Sequence, residues 1–146
     1  MNTKLKNTLL SMVSMALHSI GVFHFPNEDE VDTFEFVDTV LDIQGLITVS
    51  EDLELELFVL GKTAECPSDA VIKILEADII KPKAELLASA NEAGNDLLYY
   101  FDNIQLGENT TITTIQNVLM KAFLSAVRSQ KMITQFYSFA DEQNID

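Results

Sequence analysis

The sequence predicts an all-α fold, a single-domain bundle of about five to six helices over residues 1–146 with a long C-terminal helix. Three observations carry that expectation. Apolar residues recur at three- and four-residue spacings over much of the chain. Helix-start residues stand ahead of these runs, among them Asn27, Ser68 and Thr113. The last stretch, from the capping residue Thr113 to Ala140, keeps its period throughout, about 28 residues or roughly 42 Å of helix at 1.5 Å per residue.

Residues 3–20 read as the first amphipathic helix. Leu5, Leu9, Met12, Val13, Ala16, Leu17 and Ile20 share one side, Asn7, Ser11, Ser14 and His18 the other, and Gly21 suits the position after the helix. Lys4 and Lys6 before LLSMVSMAL imitate a signal peptide, but Ser11 and Ser14 interrupt the apolar run, and a cytoplasmic address is expected. No apolar run approaches the ~20 residues that span a bilayer.

The next element, Asn27–Gln44, is the most acidic. Asn27 reads as an N-cap, with Glu28, Asp29 and Glu30 in the first turn, where the helix dipole favours anions. On a helical wheel Glu28, Asp32, Glu35, Asp38 and Asp42 gather on one side, and Phe34, Phe36, Val37, Val40, Leu41 and Ile43 on the other. Strict alternation fails at Val37, which argues against a strand. Residues 46–60 are the ambiguous segment. Thr48 and Glu51 form a capping-box pattern and favour a helix, whereas the alternation of Leu53, Leu55 and Leu57 favours a β-hairpin, the main alternative there.

Ser68 or Asp69 then caps a short helix to about Ile80, with Val71, Ile72, Leu75 and Ile79 as its buried stripe. Lys81–Pro82 breaks the chain, and Pro82 suits the first turn of a helix running to about Asn103. Leu86, Ala90, Ala93, Leu97, Phe101 and Ile104 line up on it, with Gly94 leaving room for a neighbouring helix. After the loop LGENTT, Thr113 and Gln116 form the capping box of the long last helix.

Charge narrows the function classes. Lys and Arg number 9 against 23 acids, a formal net charge of −14. That disfavours direct binding to nucleic acid and to anionic membranes, and favours a basic protein partner. Between Asn7 and Gly61 there is no Lys or Arg at all, so the carboxylates there have no neutralising neighbour in sequence. The single Cys66 excludes an intramolecular disulfide and fits a reducing compartment.

No phosphate loop, HExxH or CxxC occurs, and NEDEVDTFE lacks the spacing of a calcium loop. Two histidines without a motif name no catalytic residue, no metal ligand and no cofactor. The expectation is therefore a non-enzymatic interaction module. Its partner-binding face would be Glu28, Asp32, Glu35, Asp38 and Asp42, held rigidly by the helix against a basic protein. In its sharpest form it is an inhibitor that mimics nucleic acid, its carboxylates standing in for phosphates. The alternative is a helical homodimer with a merely solubilising acidic surface, joined through Lys121, Leu124, Arg128, Lys131 and Phe139 of the last helix. A divalent-cation-binding helical protein is the third reading.

Overall fold

Strands, not helices, occupy most of the chain between residues 23 and 105, and the all-α expectation is overturned. The computed structural model describes residues 3–143, with side chains over 3–138. Among them are three helices and a seven-stranded antiparallel sheet. In chain order these are α1 (Thr3–Ser19), β1 (Phe23–Pro26), β2 (Thr33–Asp38), β3 (Ile43–Val49), β4 (Glu54–Thr63), α2 (Asp69–Asp78), β5 (Ala84–Asn91), β6 (Gly94–Phe101), β7 (Ile104–Gln105) and α3 (Ile112–Gln143). The strands lie in the order β1-β2-β3-β4-β6-β5, and β7 pairs with β4 beyond the end of β6.

The expected acidic helix is β2 and the turns on either side of it. Asn27 does cap: its Oδ1 accepts from the N–H groups of Asp29 and Glu30, both at 2.8 Å, but this closes a turn rather than a helix. Asp38 does the same at the far end, accepting from Val40 and Leu41 N–H at 3.0 Å. Asp32 and Asp42 take left-handed φ values of 62° and 56°, a conformation that a short polar side chain tolerates. These carboxylates are turn formers, not one wet face.

At 46–60 the hairpin alternative is the correct one. Ile47 faces Leu57 and Val49 faces Leu55 across β3 and β4. Ser50 closes the connection: its N–H donates to the Glu54 carbonyl at 2.9 Å, and its hydroxyl accepts from Glu54 N–H at 3.0 Å. The helix expected over 82–103 is the hairpin β5–β6, in which Asn91 pairs with Gly94. Gly94 has φ +128° at this bend and no neighbour within 4 Å of an added Cβ, so no helix packs against it; it supplies backbone freedom.

The three helices were legible. α1 ends in a Schellman motif, with Val22 N–H donating to Leu17 O at 2.9 Å and Gly21 N–H to His18 O at 3.1 Å. The side chain of Ser68 caps α2. α3 is capped by Thr111, whose Oγ1 accepts from Thr114 N–H at 3.2 Å, two residues earlier than the expected box.

Alternation sorts the sheet into two faces. Inward lie Phe36, Ile47, Leu57, Val59, Leu97 and Tyr99, which pack with Leu9, Val13 and Leu17 of α1 and Ile115, Leu119 and Phe123 of α3. Phe36 and Phe123 meet ring to ring at 5.0 Å, and the buried Tyr99 hydroxyl donates to the Ala126 carbonyl at 3.0 Å. α2 closes the free edge of β5, where Glu76 Oε1 accepts the Leu86 N–H at 3.0 Å. The opposite face of the sheet carries no helix among the described residues.

A candidate binding face on the open sheet

The register aligns the outward side chains into cross-strand rows. One row runs Phe25, Glu35, Leu46, Phe58, Tyr100, Glu85, in the order β1-β2-β3-β4-β6-β5. The next runs Phe23, Val37, Gln44, Leu60, Leu98, Leu87. Six strands about 4.8 Å apart make this double row roughly 24 Å long. Polar rows flank it: Thr33, Thr48 and Glu56 on one side, Lys62, Asp96 and Ser89 on the other.

The apolar members are half-buried or open to solvent. Phe23, Phe25, Tyr100 and Leu87 are exposed, Leu87 by 55%, while Leu46, Phe58, Leu60 and Leu98 are half-buried by one another. Phe58 and Tyr100 lean together with centroids 5.0 Å apart. Two shallow clefts open here. One of about 530 Å³ lies between Leu46, Phe58 and Tyr100, with Glu30, Glu56 and Asn103 at its lip. The other, about 290 Å³, lies between Phe25, Val37, Leu46 and Leu60, with Glu35 beside it.

Charge on this face is one-sided. Glu35, Glu54, Glu56, Glu85 and Asp96 point outward from the strands. Lys62 is the outward cation among the described strand residues, and Asp96 Oδ1 holds it at 2.6 Å. The Lys62 hydrogen bond, aided by that from Asn91, keeps the Asp96 carboxyl below its usual 3.8 despite partial desolvation.

The five acids expected to form one face are dispersed. Glu28 is exposed in the β1–β2 turn, Glu35 is on the open face, and Asp38 and Asp42 serve the β2–β3 turn. Six residues of strand set Asp32 and Asp38 about 20 Å apart. Nor is the charge of the Lys-free run unanswered. Lys6, just before the run, places Nζ 2.5 Å from Asp32 Oδ2 and 2.8 Å from Glu51 Oε1. Those two hydrogen bonds, Asp32 first, raise the Lys6 pKa above 10.5 against the desolvation of its buried stem. The rigid helical array of carboxylates that the nucleic-acid mimic used does not exist.

The residues expected to self-associate also part company. Lys121 and Leu124 are exposed on α3, Leu124 by 60%. Arg128 Nε turns to Asp78 Oδ2 of α2 at 3.1 Å, and Lys131 lines a separate cleft with Asp42 and Lys62. The side chain of Phe139 lies outside the described residues. His24 serves the fold: Nε2 lies 2.7 Å from Ser14 Oγ, Nδ1 lies 3.1 Å from Val22 O, and its ring meets Phe34 edge-on. Cys66 is free and exposed. Among the described residues no three His, Cys, Asp or Glu side chains group to hold a metal, and no helix is long and apolar enough to cross a membrane.

Sequence reasoning missed the apolar rows because it read 27–44 and 82–103 as helices and favoured a helix over a hairpin at 46–60, so the outward strand positions never came together. The signal was present as FEFV, LFVL and LLYYF, strands apolar on both faces. Comparison with known proteins finds no matching family model, no similar curated protein and no similar solved structure.

Proposed function

We propose that the protein is a non-catalytic binding module whose open sheet face receives a partner polypeptide segment bearing apolar and basic side chains. The observation that supports this most is the double, largely apolar row from Phe25 to Leu87, uncovered by any described helix, with Glu35 within it, Glu85 at one end and Glu56 beside it. Contiguous apolar surface on that scale is costly to leave in water and marks interaction sites. Burying it supplies affinity at about 25 cal/mol per Å² before the losses of association are subtracted. The carboxylates in and around it choose the partner's charge, and the net −14 steers a basic chain toward the protein.

Side chains on this face bury and attract; the reading assigns them no reaction. A basic segment held here is withdrawn from any nucleic acid it would otherwise bind, which is the inhibitor form of the same reading. The lone Cys66 supports a cytoplasmic setting. Selection from a random peptide display library tests the chemistry. The expected winners combine Phe, Leu or Ile with Lys or Arg and are lost on Phe58→Asp. Acidic winners, or winners indifferent to Phe58→Asp, contradict the reading.

A second reading rests on a different observation. Ile80 and Leu124, 78% and 60% exposed, border one shallow cleft beside α2 and α3, and a second copy of the chain would cover them. Sedimentation at micromolar concentration with and without Leu124→Asp decides this. A dimer that the substitution dissociates supports it, and a monomer in both cases ends it.

A further inference from the structure

We propose that the cleft between the Lys81–Lys83 segment and α3 binds a small soluble phosphorylated ligand. This cleft, of about 500 Å³, sits on the helix-bearing side of the molecule, apart from the open face, and its size is that of small-molecule sites. Lys81, Lys83 and Lys121 all line it. The chain has 9 basic residues against 23 acidic ones, so three ammonium groups around one cleft is a concentrated use of scarce charge. Lys6, Lys62 and Arg128 are committed to carboxylates, whereas these three lysines make no ion pair among the described residues.

The remaining lining supplies the other halves of recognition. Thr114 and Asn117 present hydrogen-bonding groups from α3, and Pro82, Ile104 and Val118 give an apolar wall for a ring. Asp102 also lines the cleft, able to accept from a ligand hydroxyl or amine. Three ammoniums against one carboxylate leave a local excess of two positive charges, which matches a phosphate monoester near −2. The overall negative charge does not cancel this locally, because screening confines distant acids to about 8 Å at physiological salt. That same overall charge opposes an anionic membrane surface, so the phosphate is carried by a soluble molecule.

The test is a titration of the isotopically labelled full chain, followed by amide NMR, with AMP, inorganic phosphate and adenosine as probes. AMP is expected to give saturable shifts centred on Thr114, Asn117 and Lys121, phosphate weaker ones, and adenosine the weakest. Combined Lys81→Ala, Lys83→Ala and Lys121→Ala should weaken AMP binding about tenfold or more, as should raising salt from about 50 to about 500 mM. Lys121→Glu alone, on an exposed helical site, should do likewise with an unchanged spectrum elsewhere. The proposal is overturned if AMP gives no saturable shift, if adenosine equals AMP, or if Lys121→Glu binds AMP like the parent. Shifts that follow protein concentration instead of AMP would assign the lysines to a second copy and also overturn it.

Discussion

The Nζ of Lys6 lies 2.5 Å from Oδ2 of Asp32, joining the first turns of α1 to the turn that opens β2. The same ammonium reaches Glu51 in the β3–β4 turn, so one cation anchors two sheet turns to one helix. Its side chain is only 11% exposed.

Lys6→Met keeps the apolar stem and removes the charge, leaving the partly buried Asp32 without its partner. The expected loss is about 1–3 kcal/mol in urea unfolding, the cost of an unsatisfied charged group. Alkaline behaviour should change with it. Because folding raises the Lys6 pKa, its contribution is fully present below about pH 10.5 and fades as pH rises through the higher folded value. Tyr99, raised above its usual 10 by burial and only partly relieved by Ser129, acts in the same direction. Lys6→Met should therefore lose less stability than the parent between neutral pH and pH 11; equal alkaline losses would contradict the pairing.

Asp96 gives the opposite pH dependence. Its folded pKa lies below 3.8, so its contribution is present above that value and disappears as pH falls through the folded one. Asp96→Asn should flatten the acid limb of stability measured from pH 6 to pH 2 and lower stability at neutral pH by roughly 1 kcal/mol or less, since Lys62 is partly exposed. An unaltered acid limb would remove Asp96 from the account.

Two glycines should respond unequally to a methyl group. A Cβ on Gly45 would strike the Phe58 carbonyl oxygen and the Phe36 ring, neither of which has room to move. A Cβ on Gly61 would strike the end of Gln130, a flexible side chain whose amide donates to the Lys62 carbonyl at 3.2 Å. Gly45→Ala should cost about 3 kcal/mol or more and Gly61→Ala about 1 kcal/mol, read by chemical denaturation. A reversed order would show that the β3–β4 register differs.

The helices were readable because each has one apolar face and a clear boundary. Leu9, Val13 and Leu17 repeat cleanly in α1, Ser68 caps α2, and the period from Ile115 persists through α3. The strands were hidden by the feature now proposed to bind. Val37 on the open face follows Phe36 in the core, Phe58 follows Leu57, and Tyr100 follows Tyr99, so alternation breaks in each of these strands and shows only over Leu53, Leu55 and Leu57. The accidental spacing of Leu86, Ala90, Leu97 and Phe101 then imitates a helix. Leu53 at φ 60° misled in another way, since a branched apolar residue seldom marks a turn. The acidic site residues were read onto a helix because Asx turns and helix caps begin with the same residues.

The most direct test of the open-face account is an amide NMR titration of the labelled protein with a synthetic peptide of alternating leucine and lysine. The account predicts saturable shifts over Leu46, Phe58, Leu60, Leu98 and Tyr100, lost on Phe58→Asp and weakened when Glu35, Glu56 and Glu85 become glutamine. No shift, or shifts centred on Ile80 and Leu124 beside α2, would contradict it.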